Sequence, residues 1–139
     1  MADALAVMLR NRLSELERLS RVVASFGESH HLPEKVLYAV TLALDEIVTN
    51  IISYGYDDQA DHQISLRLSL QAGELTAEVE DDGKPFNPLE APEPDLKASI
   101  EERQVGGLGI HLIRNMMDRV EYRRFQGKNL LVMKKKVSL

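Results

Sequence analysis

Cysteine is absent from the 139 residues of this chain. Its absence excludes a disulfide framework, a thiolate metal site and a cysteine nucleophile. The chain also lacks any run of about 18 apolar residues, the length that a membrane-spanning helix needs. Its first ten residues have neither the basic start nor the long apolar run of a secretory signal peptide. From these absences we expect a soluble cytoplasmic protein that does not enter a membrane.

Basic residues are scarce in the middle of the chain, with no Lys or Arg between residues 36 and 66. Residues 45–102 hold 15 acids and 3 bases, a balance of −12, whereas the rest holds 7 acids and 14 bases, a balance of +7. The bases are densest at residues 119–136, which contain no nucleic-acid-binding motif. We therefore expect the bases of residues 119–136 to face solvent and to protect a sheet edge. The alternative is that they bind an acidic protein partner. We expect no direct contact with nucleic acid.

Residues 34–53 predict one amphipathic helix around which the rest of the chain is organised. Its apolar residues recur at helical spacing and predict a buried stripe: Val40, Leu44, Ile47, Val48 and Ile51. Glu46 and Asn50 lie one turn apart on the opposite side, which carries Ala39, Ala43, Glu46, Asn50 and Ser53. A solvated helix face is usually rich in Lys and Glu. A face with small residues, one acid and one amide instead favours a helix that lines a polar pocket.

The other elements predict a single domain, residues 1–139, since this length suits one core. The expected fold class is α/β (α+β), a two-layer sandwich with a mixed, mainly antiparallel sheet and helices on one face. A first helix is expected to start with a Ser14–Glu17 capping box and to end at Gly27. The expected strands are 4–10, 62–70, 75–79, 120–125 and 130–137, with a loop over 89–104 and a short helix after it. A tight turn at Ala72-Gly73 would join the second and third strands. Apolar and polar residues alternate in 62–70 and predict a buried face: Ile64, Leu66, Leu68 and Leu70.

Two further segments carry candidate chemistry. Gly106, Gly107 and Gly109 precede a helix, where free backbone amides suit an anion such as phosphate, although a Gly-rich loop is often only a flexible turn. Asp81 ends a strand and Gly83 follows two residues later. The Asp can accept a hydrogen bond from an exocyclic amine while the Gly lets a flat ring approach the backbone, but a type I turn has the same residues.

These segments, taken in order, resemble the anti-sigma regulatory factor serine/threonine kinases, a single-domain branch of the GHKL ATPases. The N box of that family matches residues 45–50 (DEIVTN), its first glycine box matches 79–88 and its second matches 106–110. The resemblance spans nearly the whole chain. It implies a Bergerat-type ATP-binding fold with a lid at about residues 84–108.

The resemblance also implies roles for individual residues. Asn50 would coordinate Mg²⁺, which bridges the ATP phosphates, and Glu46 would act as the general base toward a serine of a partner protein. Asp81 would bind the adenine amino group, and Gly83 would let the base lie against the backbone. The phosphates would be enclosed by the second glycine box: Gly106, Gly107, Leu108 and Gly109.

The chain departs from the superfamily in its last hairpin. There the superfamily commonly has Gly-Thr, in which the Thr supports the adenine-binding Asp, whereas this chain has Gly127, Lys128 and Asn129. An amide could take over the role of the Thr. Arg103 is the candidate for a phosphate contact from the lid, and a solvated loop residue is the alternative.

The function implied by the resemblance is that of an ATP-dependent anti-sigma factor and protein-serine kinase. It would bind a sigma factor, phosphorylate an anti-sigma factor antagonist on serine, and could form a homodimer. One alternative is a nucleotide-gated protein-binding module without kinase activity. Another is a detached histidine kinase catalytic domain, which is less well supported because the chain has no dimerising helix pair with a phosphoacceptor His.

Overall fold

The computed structural model describes residues 4–88 and 113–137. Its elements in chain order are β1 (Ala4–Arg10), α1 (Glu15–Ser29), α2 (Glu34–Tyr54), β2 (Gln63–Gln71), β3 (Glu74–Asp81), β4 (Arg119–Phe125) and β5 (Lys128–Lys136). Residues 113–116 are also helical. The loop predicted at 89–104 and the second glycine box lie outside the described residues.

The five strands form one sheet in the order β1-β2-β3-β5-β4, and all four neighbouring pairs are antiparallel. The β2–β3 hairpin turns at Ala72 and Gly73, and the β4–β5 hairpin turns at Gln126 and Gly127. All four turn residues have positive φ, between 49° and 76°, as a type I′ hairpin turn requires. The β3–β5 pairing joins the two hairpins and places Asp81 opposite Asn129.

One face of the sheet packs against the helices and forms the core. Alternate strand residues are buried, as the period of two predicts, and they contact the buried stripe of α2: Val40, Leu44, Ile47 and Val48. This arrangement confirms the predicted two-layer α+β sandwich. Helix α2, with 21 residues and a hydropathy of 1.5, is long and apolar enough to cross a membrane by length and composition alone. Its buried side chains in the core account for that composition.

Helix α1 differs from its prediction at both ends. Ser14 has helical dihedral angles (φ −62°, ψ −19°) and its side chain makes no capping hydrogen bond, so the predicted capping box does not form. The carboxylate of Glu15 instead accepts a hydrogen bond from the Arg10 backbone N–H at 2.9 Å. Gly27 does not cap the helix, which continues to Ser29. The absence of a side chain at Gly27 instead leaves room for Leu37 of α2.

The side of α2 that was expected to be polar is polar only in part. Ala39 and Ala43 are buried, with exposed fractions of 4% and 1%. Small residues there serve close packing rather than a pocket wall. Glu46 and Asn50, further along the helix, are only partly buried, and the pocket hypothesis is therefore restricted to this end of α2.

Candidate functional site

Helix α2 brings Glu46 and Asn50 together one turn apart. The Asn50 Nδ2 atom donates a hydrogen bond to Glu46 Oε1 at 3.4 Å. Burial raises the pKa of Glu46, the hydrogen bond from Asn50 opposes this rise, and the charge of Asp45 adds to it. A carboxylate with a raised pKa accepts a proton more readily, as a general base must.

The exit of α2 packs directly on the loop after β3. The carbonyl oxygen of Gly55 accepts a hydrogen bond from the Lys84 backbone N–H at 2.8 Å. A Cβ atom built on Gly83 would lie 2.5 Å from the Gly55 oxygen and 2.9 Å from Asp81 Oδ1. Only glycine fits between these atoms. The residue Gly55, which follows the predicted N box, therefore contacts the predicted first glycine box directly.

Asp81 is a buried carboxylate, with an exposed fraction of 6%. Its Oδ1 atom accepts hydrogen bonds from the Gly83 backbone N–H at 2.8 Å and from Asn129 Nδ2 at 3.0 Å. Burial raises the pKa of Asp81, and these two hydrogen bonds oppose the rise. Within residues 4–88 and 113–137, no group donates to Oδ2, which can therefore accept a hydrogen bond from the amino group of a ligand.

The amide of Asn129, in the last hairpin, contacts Asp81. It is as buried as Asp81, with an exposed fraction of 6%. Its Nδ2 atom donates a second hydrogen bond, to the Lys84 carbonyl at 2.8 Å. Its Oδ1 atom accepts hydrogen bonds from the Tyr122 hydroxyl at 2.5 Å and the Phe86 backbone N–H at 3.4 Å. The last hairpin thus holds the loop after β3 through one amide.

The basic strand β4 is an edge strand with exposed arginines, as predicted. One of them has a structural contact that sequence reasoning missed. Arg124 Nη1 donates a hydrogen bond to the Gly83 carbonyl at 2.8 Å. The spacing of Tyr122 and Arg124 on one strand face is the signal that could have directed attention to them.

His62 was also missed, because the sequence pattern placed it in the expected strand 62–70, whereas β2 begins at Gln63. Its Nε2 atom lies 2.7 Å from Asp58 Oδ1, and its Nδ1 atom lies 3.2 Å from Asp82 Oδ1. The ring stacks on Tyr56 with 4.1 Å between centroids. The hydrogen bond to Asp58 raises the pKa of His62; burial opposes this, and Asp82 adds to the rise. A second contact therefore links the α2 exit (residues 55–62) to the Asp81 loop (residues 81–88).

Comparison with known proteins gives matches over most of the chain. The family model described as the histidine kinase-like ATPase domain matches residues 9–135. The Anti-sigma F factor of Clostridium acetobutylicum is 31% identical over an alignment 148 residues long, which covers 95% of this chain and 98% of that protein. The Serine/threonine-protein kinase BtrW of Bordetella bronchiseptica is 30% identical over 99 residues, which cover 71% of this chain and 70% of that protein.

Solved structures share the fold. A Mycobacterium tuberculosis structure of RsbU and RsbW domains superposes with a TM-score of 0.72 at 12% identity, covering 96% of this chain and 32% of that chain. The histidine kinase domain of a blue-light activated kinase from Erythrobacter litoralis gives a TM-score of 0.60 at 17% identity, covering 89% of this chain and 60% of that chain. At these identities the likeness concerns the fold alone.

Proposed function

Because the chain belongs to the histidine kinase-like ATPase domain family, we propose that it is an ATP-dependent protein-serine kinase and anti-sigma factor of the cytoplasm. It would bind a sigma factor and phosphorylate an anti-sigma factor antagonist on serine. The names of the two relatives, an anti-sigma F factor and a serine/threonine-protein kinase, support both halves of this proposal. The observation that carries it is the single cluster formed by the α2 exit, the Asp81 loop and Asn129.

The residues of this cluster fit an adenine base. The Oδ2 atom of Asp81, to which no group of residues 4–88 and 113–137 donates, would accept a hydrogen bond from the amino group at C6. Gly83 has no side chain, so a flat ring could approach the backbone there. Phe86 lies three residues after Gly83 and is 53% exposed, so its aromatic side chain is available to cover a bound ring.

The residues of α2 fit the phosphate end of the nucleotide. Mg²⁺ prefers oxygen ligands and usually keeps several waters. In the described residues, no group of three or more His, Cys, Asp or Glu side chains could hold a metal ion by itself. The amide oxygen of Asn50 would therefore be the protein ligand, and phosphate oxygens and water would supply the others. The bound metal would neutralise charge on the transferred phosphoryl group.

Glu46 is the proposed general base. Its carboxylate is held by Asn50 and has a raised pKa, so it can take the proton of a serine hydroxyl as that oxygen attacks. Asn50 would keep the carboxylate oriented toward the phosphate end of the site. The predicted second glycine box, Gly106, Gly107, Leu108 and Gly109, would enclose the phosphates and exclude water.

The test is phosphate transfer from labelled ATP to a cognate antagonist protein, measured together with nucleotide affinity. Glu46→Gln should keep its affinity for Mg-ATP and lose transfer by roughly 10² to 10⁴-fold, the usual contribution of a general base. Glu34→Gln is the matched control, since Glu34 is an exposed carboxylate at the first residue of the same helix and lies outside the N box. If the wild type binds nucleotide and antagonist but labels nothing, the chain is a nucleotide-gated binding module and not a kinase.

A further inference from the structure

The geometry points to Asn129 as a positioning residue that controls whether the Asp81 carboxyl group is ionised. Tyr122 fixes the orientation of the Asn129 amide. This inference deepens the proposed adenine site and rests on that function for its nucleotide readout. It assigns a role to a residue of the last hairpin, in which Gly127, Lys128 and Asn129 stand where the superfamily commonly has Gly-Thr.

The Asn129 amide has only one workable orientation. An amide has two donor hydrogens and one acceptor oxygen with two lone pairs, and here all four are used. Both donors meet oxygen atoms, of Asp81 and Lys84, at 3.0 and 2.8 Å. The oxygen meets two donors, from Tyr122 and Phe86. A 180° flip would set the amide oxygen against two acceptors and the NH₂ group against two donors, so the flipped form is strongly disfavoured.

This fixed donor acts on a carboxylate that burial alone would push toward the neutral form. Burial raises the pKa of Asp81, and the charge of Asp82 adds to the rise. The hydrogen bonds from Asn129 and Gly83 lower this pKa, with a smaller lowering effect from the charge of Arg124. Both hydrogen bonds go to Oδ1. The charge is thereby stabilised on one oxygen by the protein while the other oxygen is left for a ligand.

The protonation state of Asp81 decides which purine it accepts. An ionised carboxylate can only accept hydrogen bonds, so it pairs with an amino group and repels a carbonyl. A protonated carboxyl can donate, so it tolerates a carbonyl at the same position. Asn129 therefore contributes to selection of a 6-amino purine over a 6-oxo purine, in addition to its contribution to affinity.

The experiment compares the full-length wild type with Asn129→Leu, which is similar in size but has no donor, and with Tyr122→Phe, which keeps the amide and removes its orienting hydroxyl. Arg123→Gln is the control, because Arg123 lies on the same edge strand and is exposed. The first readout is the titration of the Asp81 carboxyl carbon by ¹³C NMR without nucleotide. The second is the affinity for Mg-ADP and Mg-IDP, which differ at C6, from pH 5.5 to pH 8.

We expect Asn129→Leu to raise the pKa of Asp81, with a smaller rise in Tyr122→Phe and none in Arg123→Gln. At pH 7, Asn129→Leu should weaken ADP binding about tenfold, which corresponds to one charge-assisted hydrogen bond of roughly 1.5 kcal/mol. Its preference for ADP over IDP should fall, and should fall further as the pH is lowered.

If the Asp81 carboxyl has the same pKa in the wild type and in Asn129→Leu, the inference is overturned, whatever the nucleotide affinities. A wild type that binds neither nucleotide, while its Asp81 pKa still responds to Asn129→Leu, would refute the proposed ATP site and leave the positioning role standing. If Asn129→Leu does not fold, Tyr122→Phe decides: an unchanged pKa and an unchanged ADP/IDP ratio there would contradict the orienting role of Tyr122 and the inference with it.

Discussion

Replacing Gly83 with alanine tests how closely the α2 exit packs on the Asp81 loop. A Cβ atom at residue 83 would lie 2.5 Å from the Gly55 carbonyl oxygen and 2.9 Å from Asp81 Oδ1. The nearer atom belongs to the backbone and cannot rotate away as a side chain can. The same oxygen accepts the hydrogen bond from Lys84 at 2.8 Å, so moving it weakens that bond as well.

The expected magnitude follows from these distances. A carbon–oxygen contact normally needs roughly 3.3 Å, so the two segments must separate by about 0.8 Å at this point. Overpacking of this kind costs about 1 to 3 kcal/mol, and weakening one backbone hydrogen bond adds about 1 kcal/mol. With an unfolding entropy of roughly 2.1 cal/mol/K per residue, a loss of about 2 to 4 kcal/mol lowers the melting temperature by about 7 to 14 °C in a domain of this size.

The assay is thermal and urea unfolding of Gly83→Ala beside Gly27→Ala, with Mg-ADP affinity measured by calorimetry. Gly27→Ala is a matched control, because its added Cβ would meet Leu37 Cδ1 at 2.7 Å, the far end of a side chain that can rotate. The gain in helix propensity of about 1 kcal/mol at an interior helix position offsets that contact. Gly27→Ala should therefore stay within about 1 kcal/mol of the wild type, with unchanged nucleotide affinity.

The reasoning fails if Gly83→Ala melts within about 1 °C of the wild type, which is well below the shift expected for overpacking. It also fails if the two alanine variants lose the same stability, because the nature of the neighbouring atom would then not matter. A stable Gly83→Ala variant that keeps its Mg-ADP affinity would further contradict the assignment of Gly83 to the adenine site.

Three further predictions concern the side chains around the Asp81 loop. Mg-ADP at about 100 times its Kd should stabilise the wild type by roughly 2.7 kcal/mol and raise its melting temperature. Asp81→Asn should abolish this rise; a rise that persists would argue against an adenine contact at Asp81. The pKa of His62 is raised by Asp58 and then by Asp82, so its stabilising contribution is full below the unfolded-state pKa and is lost as pH rises through the folded-state pKa. The difference in melting temperature between wild type and His62→Gln should thus shrink from about pH 6 to pH 8, and a difference that grows would mean that the pairing works in the neutral form. The Tyr56 hydroxyl is buried and has no partner of good hydrogen-bond geometry in the described part of the chain, while burial and the nearby carboxylates of Asp81 and Asp82 raise its pKa. Tyr56→Phe should therefore leave the urea-unfolding free energy unchanged or raise it by up to about 1 kcal/mol; a loss of more than about 1 kcal/mol would show that the hydroxyl is hydrogen-bonded to Asp82.

Local patterns predicted most of the fold. The alternation of Ile64, Leu66 and Leu68 identified both a strand and its buried face, and all three are buried. The pair Ala72 and Gly73 identified a hairpin turn, and both residues have positive φ. Such features depend on residues within a few positions of one another, which a single sequence displays directly.

Features that depend on distant residues were predicted less well. Gly27 has the same sequence appearance whether it caps a helix or makes room for a neighbouring one. Its role depends on Leu37, which belongs to the next helix. Ala39 and Ala43 were placed on a polar side for the same reason, since their burial depends on how the helices pack.

The candidate site divides in the same way. Glu46 and Asn50 are four positions apart, and their contact follows from helical spacing. The contacts of Asn129 with Asp81 and of Arg124 with Gly83 join residues 48 and 41 positions apart. No local pattern encodes such a pair. The register of β3 against β5 brings Asn129 to Asp81, and the register of β4 against β5 adds Arg124 beside them.

The β3–β5 pairing also has a consequence for how the protein folds. Each hairpin can form from neighbouring residues, whereas joining the hairpins requires closing a loop that carries a larger entropic cost. Asp81 and Asn129 lie on opposite sides of this seam, so the proposed adenine site is complete only after the two hairpins have docked. A nucleotide that binds there stabilises the native state without stabilising its precursors. We therefore expect it to slow unfolding and to leave the folding rate nearly unchanged.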